Sequence, residues 1–597
     1  MKKILIFPST VRNRGTGHIT RCLNLFRAVS NQGFFDVWIY QDEPGCGFDL
    51  EEILKENSLP VNRVTSDLNL YNWDLVVLDN FKTSGKYVKL LEKYTVLAID
   101  EGGEGRKTFD YVLDIIPSGK TLDKNFNLYY PGFLSLPVNR KEKNLNLKEI
   151  LLVIRGEKFK NAALKAAVKT AALFTESRVT ALISGSPENL CKPGNLEITG
   201  YRENLKEELY KYDLVITYYG LTALEARAAG AKVILVSPGR LHKKLGRGEG
   251  FFTLPSLKLP EKVLVKIKKN PGLLLNGAGA FSDNNRKVSG CGAKDKPETL
   301  AGFVRKMDTG AIRLCPVCGR LSPVIHRFPE RTFRRCPECS LVFQEVFFGS
   351  KMDYGEEYFF SQYQAQYGKS YLEDFQAIKK AGFERCSEIR KIIKTGTPVL
   401  LDIGCAYGPF LEAAKEKGFV PFGTDISEEA CKYVSCRLGI PAVSSVFPDL
   451  NLNLLGSGDK FDVVSMWYVI EHFENLQEVL EKVSSIVKKG GVFCFSTPNY
   501  RGISGRKSSE TFFKNSPSDH FTVWNKRAAK IILEKYGFKP VRFRFTGIHP
   551  ERFPGKGYLK PGGKDLRGLK RFEYSTLFSL MKLLRLGDTF EVYGVKK

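Results

Sequence analysis

Two cysteine pairs near the middle of the chain have the spacing of metal ligands. Cys315 and Cys318 form one C-x2-C pair, and Cys336 and Cys339 form a second pair after residues 319–335. Each pair can wrap a tight turn, so that two thiolates converge on one ion, and zinc holds such thiolates deprotonated. Because four thiolates leave no open position for water, we expect a structural Zn²⁺ here rather than a catalytic metal.

A turn of small residues after an apolar run is a second place where chemistry can occur. The segment PVLLDIGCAYG, residues 398–408, predicts a buried strand and a tight turn, and FLEAAKEKG predicts a helix after it. Backbone N–H groups at such a helix start can hold the polar end of a cofactor. The segment VPFGTDIS then predicts a second strand that ends at Asp425, whose carboxylate can accept both hydroxyls of a ribose.

The strand signals continue through FDVVSMWYVIEHF and VFCFSTPN, and their order resembles that of the class I S-adenosylmethionine-dependent methyltransferases over residues 346–597. The resemblance implies that S-adenosylmethionine binds with its methionine portion on the turn, its ribose at Asp425 and its adenine near Asp449. It also implies that GDTFEVYGVKK forms the last antiparallel edge strand. The implied cofactor-binding residues are Asp402, Gly404, Ala406, Gly408, Asp425 and Asp449.

Methyl transfer to oxygen or nitrogen requires an acceptor relieved of its proton, so a base should lie beside the methyl group. The chain has 6 histidines. By the resemblance, His472 and His520 fall in segments that line the acceptor pocket, and they are the candidate bases. Either one could instead be a buried, hydrogen-bonded histidine that shapes its loop. Asp519, next to His520, favours His520 as the base.

Two further features bear on this resemblance. Cysteine pairs directly before such a domain resemble the zinc ribbon of sugar methyltransferases that modify nucleotide-linked deoxysugars, which implies a ribbon that braces the methyl-transfer site. Ala406 stands where the family often has glycine, which indicates that the backbone there tolerates a side chain. The segment contains no N-P-P-Y-like tetrapeptide, which argues against methylation of a nucleobase amine.

Strand and helix signals also alternate through the first half of the chain, in two series. The first runs from KKILIFPST to DYVLD, and the second from EILLVIRG to KVILVSPG. Two consecutive parallel α/β units predict a cleft that binds a ligand at the carboxyl ends of the strands.

Two motifs in this half, G-x-G-H-x-x-R from Gly15 and G-L-T-A-x-E from Gly220, resemble those of GT-B glycosyltransferases related to the lipid-linked peptidoglycan N-acetylglucosaminyltransferase. The likeness covers residues 1–305 and is closest to the UDP-sugar hydrolase of pseudaminic acid synthesis. It implies that His18 is a general base. Arg155 and Tyr219 replace glycines of those relatives, so a binding role without catalysis stays open. The implied substrate-binding residues are Gly17, Arg21, Gly220, Thr222 and Glu225.

The charge balance favours anionic partners. The chain has 91 Lys and Arg against 65 Asp and Glu, a net charge of +26, which suits nucleotides, nucleic acid or acidic lipid headgroups. The basic residues 552–571 precede an apolar stretch, which predicts either a solvated loop before a packed helix or a peripheral membrane contact. No segment has the length of a signal peptide's apolar region or a membrane span, so we expect a cytoplasmic protein with reduced cysteines.

We therefore predict a multidomain α/β fold with two Rossmann-like GT-B domains, a small zinc ribbon and a Rossmann-like class I methyltransferase domain. Their boundaries are 1–143, 144–308, 312–345 and 346–597. The expected function is that of a bifunctional enzyme of glycan or sugar biosynthesis, in which a methyltransferase acting on a sugar-like small molecule is fused to a UDP-sugar hydrolase or glycosyltransferase-like unit. Two alternatives remain: a first half that only binds a nucleotide sugar or glycan, and a nucleic-acid methyltransferase. No DNA partner is expected.

Overall fold

The computed structural model describes most of the chain and divides it into two compact units, Met1–Gly310 and Ala311–Lys597. Gly15 and Arg155 lie outside the described residues. Within the described part, no helix has both the length and the apolar character that a membrane crossing requires. The described residues are 1–9, 17–30, 33–41, 49–116, 125–142, 146–154, 159–183, 192–200, 202, 205–237, 240–274, 299–309, 314–348, 368–456, 458–559, 562 and 566–597.

The first unit begins with a seven-stranded sheet in which all neighbouring strands are parallel. Its central strands are buried, because continuous apolar runs such as ILIF and LVVL present no polar face to water. In spatial order the strands are β3 (Val64–Thr65), β2 (Phe35–Tyr40), β1 (Lys2–Pro8), β4 (Leu75–Asp79), β5 (Val96–Ile99), β6 (Tyr111–Asp114) and β7 (Leu128–Tyr129).

A second, six-stranded sheet in the same unit is also parallel throughout. The two sheets confirm the prediction of two consecutive parallel α/β units. The ligand-binding residues of this half were predicted at the carboxyl ends of the strands in these two sheets. In spatial order the strands are β10 (Leu196–Thr199), β9 (Arg178–Leu182), β8 (Glu149–Val153), β11 (Leu214–Thr217), β12 (Lys232–Val236) and β13 (Phe252–Leu254).

The last helix of this unit, Leu300–Lys306, packs on the first sheet's side, although the predicted boundaries group it with the second domain. The ring of Phe303 lies 5.6 Å from that of Tyr111, and Arg305 donates to the carbonyl of Ala28 at 3.0 Å. The α-helices in the described part of the unit are Gly17–Ser30, Leu50–Glu56, Gly85–Leu91, Lys160–Leu173, Leu205–Glu208, Leu221–Ala228, Arg240–Gly248, Glu261–Lys269 and Leu300–Lys306.

The second unit contains a seven-stranded sheet whose first five strands in space are parallel. The last strand of the chain was expected at the edge, and this expectation is wrong, because it pairs antiparallel with a neighbour on each side. In spatial order the strands are β19 (Ala442–Ser444), β18 (Val420–Asp425), β17 (Val399–Ile403), β20 (Phe461–Trp467), β21 (Val487–Pro498), β24 (Thr589–Lys596) and β23 (Phe538–Thr546).

The cysteine pairs belong to a smaller antiparallel sheet of four strands. Three of its strands come from the segment around the cysteines, and the fourth comes from the predicted methyltransferase domain, so the two are joined by backbone hydrogen bonds. In spatial order the strands are β14 (Val324–Phe328), β15 (Arg331–Arg335), β16 (Val342–Val346) and β22 (Thr522–Val523).

Arg331, on β15, fixes the segment that precedes His520. Its guanidinium group donates to the backbone carbonyls of Lys514, Ser516 and Pro517, at 3.0, 2.7 and 3.2 Å. The residue is only 4% exposed, so these carbonyls replace the water that a guanidinium group would otherwise bind. The cysteine-bearing sheet therefore holds the loop of a candidate base.

The helix Gly568–Leu583 is unusually exposed. Leu569 is 87% and Phe572 is 72% accessible, beside the cations Lys570 and Arg571. This arrangement supports the predicted peripheral membrane contact, which stays a prediction. Among the described residues, the α-helices of the unit are Tyr371–Ile392, Pro409–Glu416, Glu428–Arg437, Leu476–Ile486, Ile503–Lys507, Ser509–Lys514, Lys526–Lys535 and Gly568–Leu583.

The Arg331→Met variant tests how the loop is held. It removes the donors to four backbone carbonyls, most of them only partly buried, so we expect local opening of residues 513–520 to become easier by about 1–2 kcal/mol. Hydrogen exchange of peptides from this segment measures the change. Arg320→Met is the matched control, because Arg320 pairs with Glu338 at 72% side-chain exposure and such pairs contribute about 0–1 kcal/mol. Equal exchange in the two variants would contradict the assignment.

Candidate functional site

The turn between β17 and the helix Pro409–Glu416 has a left-handed backbone at three positions. The angle φ is +73° at Gly404, +46° at Ala406 and +77° at Gly408. A Cβ at Gly404 would lie 2.4 Å from the side chain of Val469, so glycine is required there. Ala406 adopts its conformation at a cost of about 1–2 kcal/mol, so the backbone tolerates this side chain only with strain.

Asp425, at the end of β18, ties this turn to the second strand. Its Oδ2 accepts the N–H of Ala406 at 2.8 Å, and its Oδ1 accepts the N–H of Ser427 at 3.0 Å. Burial raises the pKa of this carboxyl, and the N–H groups oppose that effect. Each oxygen keeps a lone pair for a further donor, such as a ribose hydroxyl. The observed carboxylate therefore fits the predicted ribose contact of S-adenosylmethionine.

Asp402, inside β17, lies below the turn and is 2% exposed. Its Oδ1 accepts the hydroxyl of Ser465 at 2.6 Å, and burial raises its pKa to about 8. A cation brought close to it, such as the ammonium group of a methionine portion, would favour its charged form. Asp449, the residue predicted near adenine, is exposed after β19.

His472 and His520, the two predicted bases, lie together beyond the end of β20. Their rings meet edge to face at 4.7 Å, and Nδ1 of His472 lies 2.9 Å from Oδ2 of Asp519. Burial alone would lower the pKa of His472, but the hydrogen bond to Asp519 raises it overall. Burial and the charge of His472 lower the pKa of His520 to about 3. Asp519 thus supports His472 rather than its sequence neighbour.

The four cysteines converge as their spacing predicts. Their Sγ atoms all lie within 4.8 Å of one another, and those of Cys315 and Cys339 are 3.6 Å apart. A tetrahedral Zn²⁺ with bonds of about 2.3 Å separates its sulfur ligands by about 3.8 Å. The donor set of Cys315, Cys318, Cys336 and Cys339 therefore fits Zn²⁺, with no position left for a water molecule.

In the first unit, His18 and Arg21 meet two carboxylates at the ends of β4 and β5. Nδ1 of His18 lies 2.5 Å from Oδ1 of Asp79, and Nε of Arg21 lies 2.6 Å from Oδ2 of the same residue. Nη1 of Arg21 lies 2.7 Å from Oδ2 of Asp100. Burial opposes ionisation of Asp79, yet the charge of Arg21 holds its pKa well below its usual range. Sequence reasoning missed both carboxylates, although each ends an apolar strand.

The two predicted nucleotide-sugar motifs lie against each other within this unit. A Cβ at Gly17 would come 3.1 Å from the side chain of Leu221, the first residue of a helix. Gly220 directly precedes this helix, and Thr222 and Glu225 lie in its first two turns. The start of that helix therefore lies against the start of the helix Gly17–Ser30, next to His18.

Comparisons with known proteins bear on the second unit. Residues 371–542 match a family model described as a methyltransferase domain. A ubiquinone biosynthesis O-methyltransferase of Coxiella burnetii is 25% identical over 101 residues, 17% of this chain and 43% of that protein. The enzyme of the same name from Haemophilus ducreyi is 29% identical over 106 residues, 17% and 45% of the two chains. The structure of a SAM-dependent methyltransferase from Archaeoglobus fulgidus is 22% identical, covers 39% of this chain and 98% of its own, and has a TM-score of 0.28.

The second unit therefore contains a SAM-dependent methyltransferase domain, which confirms this part of the prediction. The chain spans less than half the length of the curated relatives it matches. The zinc ribbon, the GT-B assignment of the first unit and the role in glycan biosynthesis stay predictions.

Zinc analysis tests the cysteine site. We expect about one Zn²⁺ per chain by elemental analysis of the purified protein, and its loss in Cys336→Ser, because three thiolates no longer close the site. Cys436→Ser is the matched control, since Cys436 is an exposed cysteine elsewhere in the same unit. An unchanged zinc content in Cys336→Ser would remove this site.

Asp402→Asn tests the buried carboxyl through the pH dependence of stability. The pKa of Asp402 is about 8 in the folded protein and about 3.9 when unfolded. Its contribution to stability is therefore complete below about pH 4 and is lost as the pH rises through 8. We expect the difference in thermal midpoint, variant minus wild type, to increase from pH 5 to pH 9. Asp449→Asn, at an exposed carboxyl, is the control, and a difference independent of pH would contradict the raised pKa.

Proposed function

We propose that the second unit transfers the methyl group of S-adenosylmethionine to a sugar-like small molecule, as part of a cytoplasmic enzyme of glycan or sugar biosynthesis. The His472–Asp519 pair, at the same sheet edge as the cofactor turn, carries this proposal. Strand β20 leads to His472, pairs with β17, and is followed by Val469, which packs against Gly404. An acceptor bound beside this turn would therefore meet a base.

Each of these residues has a separate role in the proposed reaction. Asp425 and the left-handed turn hold the cofactor, which supplies an electrophilic methyl group when bound. Asp519 accepts the Nδ1–H of His472, so that Nε2 is left as the proton acceptor. Nε2 would take the proton of the acceptor hydroxyl or amine while the methyl group passes from the sulfonium sulfur to that acceptor atom. Arg331 keeps Asp519 in place through the loop that it binds.

His472→Gln tests this assignment. Labelled S-adenosylmethionine is first incubated with a library of nucleotide sugars, and the labelled product is identified by mass. With that acceptor we expect kcat to fall by about 10²–10⁴, because the proton has no acceptor, while the Kd of S-adenosylmethionine measured by calorimetry stays the same.

His549→Gln is the matched control, because His549 also pairs with a carboxylate, that of Glu551, at 3.0 Å. Full activity of His472→Gln would remove His472 as the base. A requirement for an added divalent cation would assign Glu471, His472 and His520 to a metal site instead, since their ligand atoms lie within 4.8 Å of one another. Methyl incorporation into bulk tRNA but into no small metabolite would favour the nucleic-acid alternative.

For the first unit we infer a UDP-sugar hydrolase or glycosyltransferase-like activity, with His18 as the general base. The support is the short contact between His18 and Asp79, which orients the imidazole, and the helix start at Leu221, which lies next to His18. Such a helix start suits the diphosphate of a nucleotide sugar. The guanidinium group of Arg21 already binds two carboxylates, so its part in this proposal is to position Asp79.

His18→Ala is the corresponding test. We expect the release of UDP, UMP or free sugar from a UDP-amino sugar to stop, while the affinity for UDP changes little, because the imidazole acts in the chemical step. Asn24→Ala, at an exposed site on the same helix, is the control. Undiminished turnover in His18→Ala would remove this residue from catalysis. Saturable binding without turnover by the wild type would favour a binding module instead.

A further inference from the structure

An open pocket of about 870 Å³ lies in the second unit, beside the second cysteine pair. Its walls come mainly from residues 335–340, residues 499–506, the start of the helix Lys526–Lys535 and residues 584–585. Among the described residues that line it, seven are cationic and none is acidic. Six of the cations are Arg335, Arg501, Arg506, Lys526, Arg527 and Arg585.

Most of this charge has no carboxylate nearby. In the part of the chain that the structure describes, Lys530 alone among the seven approaches one, that of Glu534 at 4.0 Å. Burial lowers the pKa of Lys526, and the charges of Arg585 and Lys530 lower it further. Lys526 is therefore repelled by its cationic neighbours, and among the described residues only Glu534 places a carboxylate within 4.0 Å of this group of cations.

The helix start at the pocket adds to this repulsion. Lys526 and Arg527 occupy its first turn, where the helix dipole disfavours positive charge, and the turn contains no acidic residue. The side chain of Asn525 accepts the N–H groups of Arg527 and Ala528, so the helix is properly capped. The cap formed by Asn525 stabilises the helix start, whereas Lys526 and Arg527 destabilise it. Helix stability therefore gives no reason for these two cations.

The wall between these cations is rigid. The amide of Asn525 donates to the hydroxyl of Tyr500 at 2.7 Å and to the carbonyl of Ser340 at 3.2 Å. These bonds connect three segments: residues 314–348, which carry the four cysteines and are called the cysteine module here, the turn after β21, and the capped helix. A pocket built from three connected segments needs little reorganisation to receive a ligand.

We propose that this pocket binds a phosphate-bearing small molecule of the size of a nucleoside diphosphate. Its volume lies within the range of small-molecule sites, about 300–1,000 Å³, and its guanidinium groups suit the oxygens of a diphosphate. Tyr500 and Phe545 provide ring surface for an attached base or sugar. The pocket uses none of the residues assigned to S-adenosylmethionine or to proton transfer, so the inference does not rest on the proposed chemistry.

Calorimetry of the full, zinc-loaded chain with UDP as the probe tests the proposal. The first unit is proposed to bind nucleotide sugars, so the decisive quantity is the number of UDP equivalents bound per chain. We expect the double variant Arg501→Glu with Arg527→Glu to lose one bound equivalent of UDP, or to bind that equivalent at least about tenfold more weakly. This loss is expected whether or not the first unit also binds UDP. The milder pair Arg501→Gln with Arg527→Gln should weaken the same equivalent in the same direction.

Lys394→Glu with Arg437→Glu is the matched control, because both are exposed cations of this unit outside the pocket. It should bind UDP like the wild type. Zinc content and thermal midpoint verify that each variant is folded. Unchanged stoichiometry and affinity in both pocket variants would overturn the proposal. If the pocket binds a single-stranded RNA of twenty nucleotides but no UDP, the proposal is also overturned, in favour of a polynucleotide surface.

Discussion

The buried guanidinium group of Arg331 anchors the Asp519–His520 loop, together with the amide of Gln344, which donates to the carbonyl of Ser518 at 2.6 Å. A buried cation without partners costs several kcal/mol, so displacing the four backbone carbonyls that Arg331 contacts, those of Phe513, Lys514, Ser516 and Pro517, is unfavourable. The loop is short and carries no regular strand or helix between Lys514 and Thr522, so it relies on these contacts and on the N–H of Gln344, which donates to the carbonyl of Phe521 at 3.0 Å. The geometry of the His472–Asp519 pair therefore depends on two parts of the unit: β20 of the methyltransferase sheet leads to His472, and Arg331 of the four-stranded sheet holds the segment before Asp519.

In the first unit the buried charge that needs partners is negative, that of Asp79, rather than positive. Asp79 is fully buried at the end of β4, and Arg21 neutralises it while Asp100 holds the other side of the guanidinium group. His18 is then oriented by a carboxylate that stays ionised. In both units a candidate base is positioned through a buried charge whose partners come from distant parts of the chain.

Local sequence patterns predicted the strands and the turn after β17. Contacts between segments that are far apart in the sequence could not be predicted. Apolar runs such as LVVLD and the small-residue turn identified strands and the cofactor loop, because burial and backbone conformation are encoded in consecutive residues. The neighbours of β24 and the partner of Asp519 could not be predicted, since both depend on segments far away in sequence. The adjacency of Asp519 and His520 in the sequence favoured His520 as the base, whereas in the structure the carboxylate of Asp519 lies beside His472.

Strand β15 connects these observations. Its alternation places Arg331, Phe333 and Arg335 on one face, and Arg334 on the other, where it pairs with buried Glu345 at 2.9 Å. On the first face, Arg331 binds the carbonyls before Asp519, the ring of Phe333 packs on Phe513 at 4.9 Å, and Arg335 lines the basic pocket.

Cys336 follows Arg335 directly, so a metal held by the four cysteines would fix the end of this strand. A shift of one residue in the register of β15 would turn Arg331 and Arg335 away together. One face of β15 therefore contacts the loop before Asp519 through Arg331 and contributes Arg335 to the wall of the pocket. The cysteine module thus positions both the loop and this wall.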